Sequence, residues 1–337
     1  MATRVAINGF GRIGRLTARI LLNDPTFELV AINDLKGPED LAYLLRYDTT
    51  QGRFMEDNIS FDDEGIFVGD KKILVTNEKD PNQLPWGKLN IDLVFECTGI
   101  FTKRETAQTH INAGAKHVII SAAAGKDVKT IVYNVNHNIL DGSEEIISTA
   151  SCTTNCLAPV LNVLDNKFGI EKGLMTTVHA YTNDQVTLDI AHKKGIYSRR
   201  GRAAAQNIIP TTTGAASAIG LVIPSLNGRM DGISLRVPVP SGSVVDLSIE
   251  LKRATTVEEI NKAFNDNANE TLKYTKDPIV SSDVIGTHCG AIVDGLFTNI
   301  VEADGRQIVK VLAWYDNEMG YCAQMVRTAK HLVNLLK

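Results

Sequence analysis

The residues best suited to covalent chemistry lie at positions 150–156, which read Ala-Ser-Cys-Thr-Thr-Asn-Cys. The apolar pair Ile146-Ile147 precedes this segment, and apolar residues at helical spacing follow it as far as Gly169. We therefore expect Cys152 to lie where a strand turns into a helix. Unpaired backbone N–H groups and the helix dipole at such a position would lower the pKa of the thiol towards a reactive thiolate. The alternative is a cysteine that is buried for packing alone.

A base for this thiol is predicted at His179. This histidine follows an apolar strand predicted at 174–178 and opens the polar segment 180–184. The end of a strand is a rigid place from which to hold an imidazole against a reacting group. For each of the remaining histidines we expect a surface or capping position.

A glycine pattern near the N-terminus predicts a dinucleotide site. Gly9, Gly11 and Gly14 follow a strand predicted at 5–7 and open a helix, where glycines allow a tight turn and the close approach of a pyrophosphate. Asp34 lies 20 residues after Gly14, at the end of the next strand. A carboxylate there can bind a ribose 2′-hydroxyl and repel a 2′-phosphate, which favours NAD over NADP. A glycine-rich turn and a solvated aspartate are the alternative.

Two further residues end predicted strands of the same half. Thr98 follows the strand predicted at 91–96, and Ser121 follows the strand predicted at 118–120. Because ligands collect at the C-terminal ends of strands in a doubly wound sheet, both are candidate cofactor contacts. Packing at the strand end is an equal alternative for Thr98.

The second half of the chain has a different pattern, with long strands and little helix between them. Asp304-Gly305 is typical of a hairpin, and Thr256 with Glu259 forms the capping-box pattern of one amphipathic helix. These features indicate an α+β domain with a mainly antiparallel sheet and a helix on one face. Its strands are expected at 174–178, 234–239, 244–251, 290–300 and 307–314.

Two domains are therefore expected in the 337 residues. Residues 1–151 are predicted to form an α/β, Rossmann-type doubly wound domain that binds NAD. Residues 152–316 are predicted to form the α+β catalytic domain. The last segment, 317–337, has apolar residues at helical spacing and must bury that face somewhere.

Basic and hydroxyl residues of the second half could bind an anion. Residues 198–202 read Ser-Arg-Arg-Gly-Arg, and residues 211–214 offer hydroxyls and backbone N–H groups. Arg236 lies inside a predicted apolar strand, where a guanidinium needs an anion or a carboxylate as its partner. A phosphate on a substrate would fit these features, and so would a subunit interface for the cluster and a salt bridge for Arg236.

The composition is that of an ordinary soluble globular protein, with 44% hydrophobic residues, 22% charged residues and a net charge of -4. Nucleic acid and membrane are therefore not expected as partners. The N-terminus runs directly into a strand pattern and no apolar segment has the length of a membrane span, so we expect a cytoplasmic protein. The five cysteines are scattered and odd in number, which indicates reduced thiols. No metal is expected, because the pair Cys152 and Cys156 has no second pair of ligands nearby.

Five stretches of the chain match the motifs of one known family. They are Ile-Asn-Gly-Phe-Gly-Arg-Ile-Gly-Arg at 7–15, Ala-Ser-Cys-Thr-Thr-Asn-Cys-Leu-Ala-Pro at 150–159, His-Ala-Tyr-Thr at 179–182, Thr-Gly-Ala-Ala at 213–216 and Trp-Tyr-Asp-Asn-Glu at 314–318. Together they resemble the phosphorylating glyceraldehyde-3-phosphate dehydrogenases. The likeness runs in order along nearly the whole chain, and the cysteine motif is highly specific.

The resemblance implies a homotetramer of glycolysis that oxidises glyceraldehyde 3-phosphate to 1,3-bisphosphoglycerate with NAD and inorganic phosphate. In this likeness Cys152 attacks the aldehyde, and His179 raises its nucleophilicity and takes a proton during hydride transfer. A thioester on Cys152 keeps the energy of the oxidation until phosphate attacks. The C-terminal helix would fold back onto the first domain.

Binding residues also carry over from the resemblance. For the cofactor they are Arg12 and Ile13 along the pyrophosphate, Asp34 on the adenine ribose, Lys79 near the adenine, and Ser121 and Asn317 near the nicotinamide. For the substrate's own phosphate they are Thr182 and Arg236. For the attacking phosphate they are Ser151, Thr153, Thr213, Gly214 and one arginine, Arg199 or Arg200, of which the spacing prefers Arg200.

The chain departs from the family pattern at a few positions, and these concern the cofactor. Ala191 stands where many NAD-specific relatives have a proline that helps to exclude a 2′-phosphate, and Lys79 stands where arginine is common, so some use of NADP stays open. A sister activity such as that of erythrose-4-phosphate dehydrogenase, a thiol hydrolase, and a binding or adhesion role are the alternatives. The dinucleotide pattern disfavours the hydrolase, and the phosphate-binding hydroxyls disfavour the sister activity.

Overall fold

A computed structural model describes residues 2–193, 195 and 197–336. Its contacts divide the chain into two compact units. The first unit extends to Ser151 and resumes at Cys322, and the second unit is Cys152–Tyr321. The roles assigned to the two predicted domains, NAD binding and catalysis, stay predictions at this point.

The first unit is an α/β structure in which strands and helices alternate. Its strands are β1 (Thr3–Asn8), β2 (Phe27–Asn33), β3 (Ile59–Phe61), β4 (Gly65–Val68), β5 (Lys71–Thr76), β6 (Leu93–Glu96), β7 (His117–Ile120), β8 (Lys129–Thr130) and β9 (Ile146–Ser148). Its helices are α1 (Arg12–Leu21), α2 (Pro38–Arg46) and α3 (Arg104–Asn112). The sequence did not predict α2, whose proline at the first turn is nevertheless a common way to start a helix.

The strands of the first unit form one sheet in the order β3-β4-β5-β2-β1-β6-β7-β9-β8. From β5 to β9 all pairs are parallel, while β3, β4 and β5 pair as antiparallel hairpins at the edge. The order β5-β2-β1-β6-β7-β9 is that of a doubly wound dinucleotide-binding sheet, whose direction of winding reverses between β1 and β6. The predicted fold class of this half is confirmed.

The turn between β1 and α1 requires its glycines. Gly9 has φ +90, a value that side chains rarely allow, and a Cβ at Gly14 would lie 2.0 Å from the carbonyl oxygen of Gly9. A Cβ at Gly11 would meet nothing within 4 Å. The first and third glycines thus allow the chain to turn tightly and α1 to start close to the sheet, while Gly11 leaves open space.

The end of the chain completes the core of the first unit. Its last helix, α7 (Met319–Leu335), belongs to this unit from Cys322 onwards. Buried apolar residues of α7 join the core cluster that contains β1, β2 and α1, which is where the predicted apolar face of the C-terminal helix lies. They are Met325, Val326, Ala329, Leu332 and Val333.

The second unit is an α+β structure. Its strands are β10 (Ile170–Ala180), β11 (Ile209–Thr212), β12 (Met230–Val237), β13 (Ser243–Leu251), β14 (Leu272–Thr275), β15 (Ala291–Ala303) and β16 (Arg306–Tyr315). They form one sheet in the order β11-β12-β10-β13-β16-β15-β14. Most pairs are antiparallel, and β10/β12 and β14/β15 are parallel. The prediction of a mainly antiparallel sheet is confirmed.

Helices α4 (Cys152–Phe168), α5 (Ala215–Val222) and α6 (Val257–Asp266) accompany this sheet. The predicted hairpin joins β15 to β16, with Asp304 and Gly305 both at positive φ. Thr256 caps α6 by accepting a hydrogen bond from the N–H of Glu259. The sequence did not predict α5, because its residues, Ala-Ala-Ser-Ala-Ile-Gly-Leu-Val, are apolar all round and show no helical period.

We expect the change Gly14→Ala to lower the free energy of unfolding by about 1–3 kcal/mol or more, because the new methyl group would displace the carbonyl of Gly9. Gly11→Ala is the matched control in the same turn, and it should leave the stability within about 0.5 kcal/mol of the parent. Urea unfolding followed by circular dichroism measures both. Equal stabilities of the two variants would contradict the packing described for this turn.

Candidate functional site

Cys152 and His179 meet in the second unit. Cys152 is the first residue of α4, as predicted, and His179 is the penultimate residue of β10. The Sγ of Cys152 lies 3.4 Å from the Nε2 of His179. A buried strand and a helix start therefore bring a thiol and an imidazole within hydrogen-bond distance, which is the arrangement of an activated nucleophile.

A backbone carbonyl determines the tautomer of His179. Its Nδ1 lies 2.7 Å from the carbonyl oxygen of Ala180. Because a carbonyl oxygen can only accept, Nδ1 carries the proton and Nε2 presents a lone pair to Cys152. The imidazole is thus oriented to take the proton of the thiol.

The charges around the pair are set by burial and by two arginines. Burial lowers the pKa of His179 to about 3, and the positive charges of Arg236 and Arg200 act in the same direction. His179 is therefore neutral at any pH near 7. Arg236 lies beside it because β10 and β12 pair in parallel with these two residues in register.

The prediction of a lowered pKa for the Cys152 thiol is wrong. Burial raises its pKa, and this effect outweighs the lowering by Arg236 and by the hydrogen bonds from Thr153 at the helix start. Sequence reasoning recognised the helix terminus but not how far packing removes the thiol from water. The contact of 3.4 Å between the two side chains leaves the unprotonated Nε2 of His179 in position to accept the thiol proton.

Tyr315 is a site residue that the sequence analysis missed. Its buried hydroxyl lies 2.9 Å from the Oγ1 of Thr153 and 2.8 Å from the Oγ1 of Thr177, and its ring packs edge-on against His179 with the ring centres 5.9 Å apart. Tyr315 thereby orients a hydroxyl next to the nucleophile and restrains the base. The signals in the sequence were its position at the end of a strand and its place in the matched stretch 314–318.

Arg236 and Thr182 form the centre of a possible anion site. The Nη1 of Arg236 donates to the Oγ1 of Thr182 at 2.9 Å and to the carbonyl of Ala180 at 3.2 Å. Burial of the Arg236 guanidinium lowers its pKa. Within the described contacts its partners are neutral oxygens, so an anion would supply the charge that this guanidinium lacks.

Arg200 lies in a short 3₁₀ turn, Arg199–Gly201. It forms an ion pair with Asp184, and its Nε donates to the Oγ1 of Thr211 at 3.2 Å. Asp184 also accepts the hydroxyl of Thr182, so that Arg200 and Thr182 share one carboxylate. Arg199 is exposed, which favours Arg200 as the arginine of the site.

The remaining residues predicted for phosphate lie at the starts of two helices. Ser151 directly precedes α4, and Thr153 is in its first turn. Thr213 and Gly214 precede α5, and the Oγ1 of Thr213 accepts from the N–H of Ala215 at 3.2 Å. These are hydroxyls and backbone donors of the kind that bind phosphate at helix N-termini.

The predicted cofactor residues of the first unit gather around the turn between β1 and α1. Gly9 and Thr98 are so close that a Cβ on Gly9 would lie 2.8 Å from the Cγ2 of Thr98. The carboxylate of Asp34 accepts from the N–H of Phe10 at 2.8 Å and from the N–H of Lys36 at 3.1 Å. The open space at Gly11 and the fixed Asp34 fit a pyrophosphate and a ribose.

The other predicted cofactor residues differ in their burial and contacts. Arg12 forms an ion pair with Asp48, and Ile13 packs against the core. Ser121 follows β7 and is half-buried, and Lys79 is exposed after β5. Asn317, in the second unit, is buried and its Oδ1 accepts from the hydroxyl of Ser243 at 2.8 Å.

In residues 2–193, 195 and 197–336 no helix is long and apolar enough to cross a membrane, and no group of three or more His, Cys, Asp or Glu residues could hold a metal ion. Within the same residues none of the five cysteines forms a disulfide.

Known proteins are similar to this chain over almost its whole length. A family model described as the NAD binding domain of glyceraldehyde 3-phosphate dehydrogenase matches residues 3–104, and a model of the C-terminal domain matches residues 151–317. The glyceraldehyde-3-phosphate dehydrogenase of Clostridium pasteurianum is 57% identical over 335 residues, which are 99% of this chain and 100% of the relative. The enzymes of Clostridium acetobutylicum and Streptococcus pyogenes are 56% and 52% identical, over 99% and 100% of both chains.

The role of Arg236 in setting the pKa of Cys152 can be tested by alkylation. We expect Arg236→Gln to move the pH midpoint of Cys152 alkylation upwards by about one unit, because a positive charge that favours the thiolate is removed. Iodoacetamide rates between pH 6 and 10, read by mass spectrometry of the Cys152 peptide, measure this midpoint. Arg229→Gln, next to the opposite end of β12, is the matched control and should leave it in place. A midpoint that stays or falls in Arg236→Gln would contradict the electrostatic description.

Proposed function

The chain belongs to the glyceraldehyde-3-phosphate dehydrogenase family, and we propose that Cys152 and His179 carry the family's reaction in it. The reaction is the NAD-dependent oxidative phosphorylation of D-glyceraldehyde 3-phosphate to 1,3-bisphosphoglycerate, a step of glycolysis. The observation that carries the assignment of residues is the contact of 3.4 Å between the thiol of Cys152 and the unprotonated Nε2 of His179.

The first step is the addition of the thiol to the aldehyde. His179 Nε2 accepts the proton of Cys152, the sulfur forms a bond to C1, and the electrons of the carbonyl π bond move to its oxygen. That oxygen then takes the proton, which gives a hemithioacetal. A neutral imidazole is needed for this step, and the lowered pKa of His179 provides it. The backbone N–H of Cys152 and the imidazole of His179 stabilise the negative charge on the oxygen.

The second step is oxidation to a thioester. His179 Nε2 removes the hydroxyl proton of the hemithioacetal, the C–O bond becomes a carbonyl, and the C1–H bond gives up its electron pair as a hydride. NAD would supply the hydride acceptor for this step, held by the residues proposed for it around the turn between β1 and α1. Inorganic phosphate then attacks the thioester, the C–S bond breaks, and the sulfur leaves as the Cys152 thiolate.

Separate residues are proposed for the two phosphates. Arg236 and Thr182 bind the substrate's own phosphate, since the buried guanidinium donates to the threonine hydroxyl at 2.9 Å and has neutral oxygens around it. The attacking phosphate is bound by hydroxyls and N–H groups at two helix starts together with one arginine. These residues are Ser151, Thr153, Thr213, Gly214 and Arg200.

NAD binding is proposed for the residues around the turn between β1 and α1. The open space at Gly11 and the fixed carboxylate of Asp34 support this site. Asp34 favours NAD, while Ala191 leaves some use of NADP open. The residues proposed to bind NAD are Gly9, Gly11, Arg12, Ile13, Gly14, Asp34, Lys79, Thr98, Ser121 and Asn317.

We also propose that the protein is a cytoplasmic homotetramer without a nucleic-acid partner. Exposed apolar side chains on strands of the second sheet, among them Leu174, Ile233, Val301 and Ile308, support an association of subunits. The net charge of -4 disfavours nucleic acid. A mass by light scattering that differs from four times 36.7 kDa would contradict the tetramer.

We expect Cys152→Ser to lose at least about 10³-fold in turnover, since a serine hydroxyl is a far weaker nucleophile beside a neutral imidazole. NAD binding should stay within about twofold of the parent. Cys156→Ser, one helical turn later and buried, is the matched control and should keep most of the activity. The absorbance of reduced cofactor measures turnover, and substantial activity of Cys152→Ser would disprove the proposed nucleophile.

The requirement for phosphate distinguishes this reaction from that of a sister dehydrogenase. We expect rapid reduction of NAD with glyceraldehyde 3-phosphate only when inorganic phosphate is present, because the thioester is otherwise released slowly. With NADP the value of kcat/KM should be lower, since Asp34 repels a 2′-phosphate. Turnover that is indifferent to phosphate would point to hydrolysis of the acyl-enzyme, and a preference for NADP would contradict the role of Asp34.

A further inference from the structure

A buried carboxylate lies at the C-terminal edge of the first sheet and has no part in the reaction described above. Glu96 is the last residue of β6, where it follows Leu-Val-Phe, and its side chain is fully buried. Burial of a carboxylate in such a strand is strongly unfavourable unless hydrogen bonds compensate it. The role of Glu96 must therefore lie in its hydrogen bonds.

Four donors surround this carboxylate. Its Oε1 accepts from the N–H of Thr98 at 2.8 Å and from the hydroxyl of the same threonine. Its Oε2 accepts from the Nδ2 of Asn8 at 2.6 Å and lies 3.0 Å from the Nε2 of His110. The lone pairs of the carboxylate are thus used, two on each oxygen.

Trp86 determines which nitrogen of His110 carries the proton. The indole Nε1 of Trp86, which can only donate, lies 3.0 Å from the Nδ1 of His110. Nδ1 is therefore the acceptor, Nε2 carries the proton, and His110 donates to Glu96. Both rings are fully buried, so the expectation of a surface or capping position is wrong for His110.

The hydrogen bonds continue from Asn8 to two other strand ends. The Oδ1 of Asn8 accepts from the Nδ2 of Asn33, the last residue of β2, at 2.8 Å. Asn33 then binds both backbone groups of Glu78 at 2.9 Å and accepts the hydroxyl of Thr76, the last residue of β5, at 2.9 Å. One connected set of hydrogen bonds joins the ends of β1, β2, β5 and β6.

This set, the Glu96 network, consists of Glu96, Asn8, Asn33, Thr76, Glu78, Trp86, Thr98 and His110. Three of its members directly precede a residue that we propose to bind NAD, and a fourth is itself such a residue. These are Asn8 before Gly9, Asn33 before Asp34, Glu78 before Lys79, and Thr98 itself.

We propose that Glu96 is a positioning residue for the dinucleotide. Its carboxylate holds Asn8 and Thr98, on the two strands where the winding of the sheet reverses, at the spacing that the cofactor requires. The inference rests on the proposed NAD site at this edge. It assigns Glu96 an effect on cofactor affinity and none on the chemistry at Cys152.

The variant Glu96→Gln tests the proposal, because an amide nitrogen cannot accept. The nitrogen cannot face His110, whose Nε2 proton is fixed by Trp86. It must face Thr98, whose hydroxyl can turn to accept while its backbone N–H loses its acceptor. We expect the Kd for NAD to rise about tenfold, with kcat at saturating NAD and the KM of glyceraldehyde 3-phosphate within about twofold of the parent.

Titration calorimetry of the full-length protein with NAD measures the Kd, and steady-state kinetics gives kcat and KM. Glu28→Gln is the matched control, since Glu28 lies on neighbouring β2 and pairs with Arg4 at the surface; its Kd should be unchanged. An unchanged Kd in Glu96→Gln would overturn the proposal, and so would a fall in kcat with an unchanged Kd. If the parent itself does not bind NAD, the proposed cofactor site fails and this inference fails with it.

Trp86→Phe tests the same network and leaves Glu96 and the proposed NAD residues in place, should Glu96→Gln not fold. Without the indole N–H, the Nδ1 of His110 loses its donor, and the ring is no longer held in the orientation that presents its Nε2 proton to the carboxylate of Glu96 at 3.0 Å. We expect the Kd for NAD to rise about threefold or more, with kcat at saturating NAD unchanged. A parental Kd in a folded Trp86→Phe protein would overturn the proposal.

Discussion

In the proposed mechanism the reactivity of the second unit depends on one hydrogen bond, which the Nδ1 of His179 donates to the carbonyl oxygen of Ala180. It leaves the Nε2 lone pair facing the thiol of Cys152. Because burial keeps the imidazole neutral, that lone pair is available at physiological pH. The backbone of β10 thus provides the orientation that an aspartate provides in many catalytic triads.

Much of this could be predicted from the sequence because the motifs are local. The turn with Gly9 and Gly14, the strand end at Asp34 and the helix start at Cys152 each follow from residues a few positions apart. The pairing of Cys152 with His179 is not local, and it was inferred because a thiol nucleophile needs a base and only one histidine ended an apolar strand. The doubly wound class of the first sheet was predicted from the alternation of strands and helices, whereas its strand order comes from the structure.

Other features depend on tertiary packing and left no mark in the sequence. The pKa of Cys152 was predicted in the wrong direction, because the helix terminus is visible in the sequence but the burial of the thiol is not. Tyr315 reaches Thr153 and Thr177 from a strand more than 130 positions away in the chain. The sequence predicted Glu96 only as the end of a strand, and the structure surrounds its carboxylate with donors.

The division of the chain also affects how it folds during synthesis. The second unit is one continuous stretch, Cys152–Tyr321, whereas the first unit needs residues from both ends of the chain. Met325, Leu332 and Val333 of α7 fill its core, and they follow the whole second unit in the chain. The first unit is thus begun before the second unit is synthesised and completed after it, and its incomplete core stays exposed during that interval.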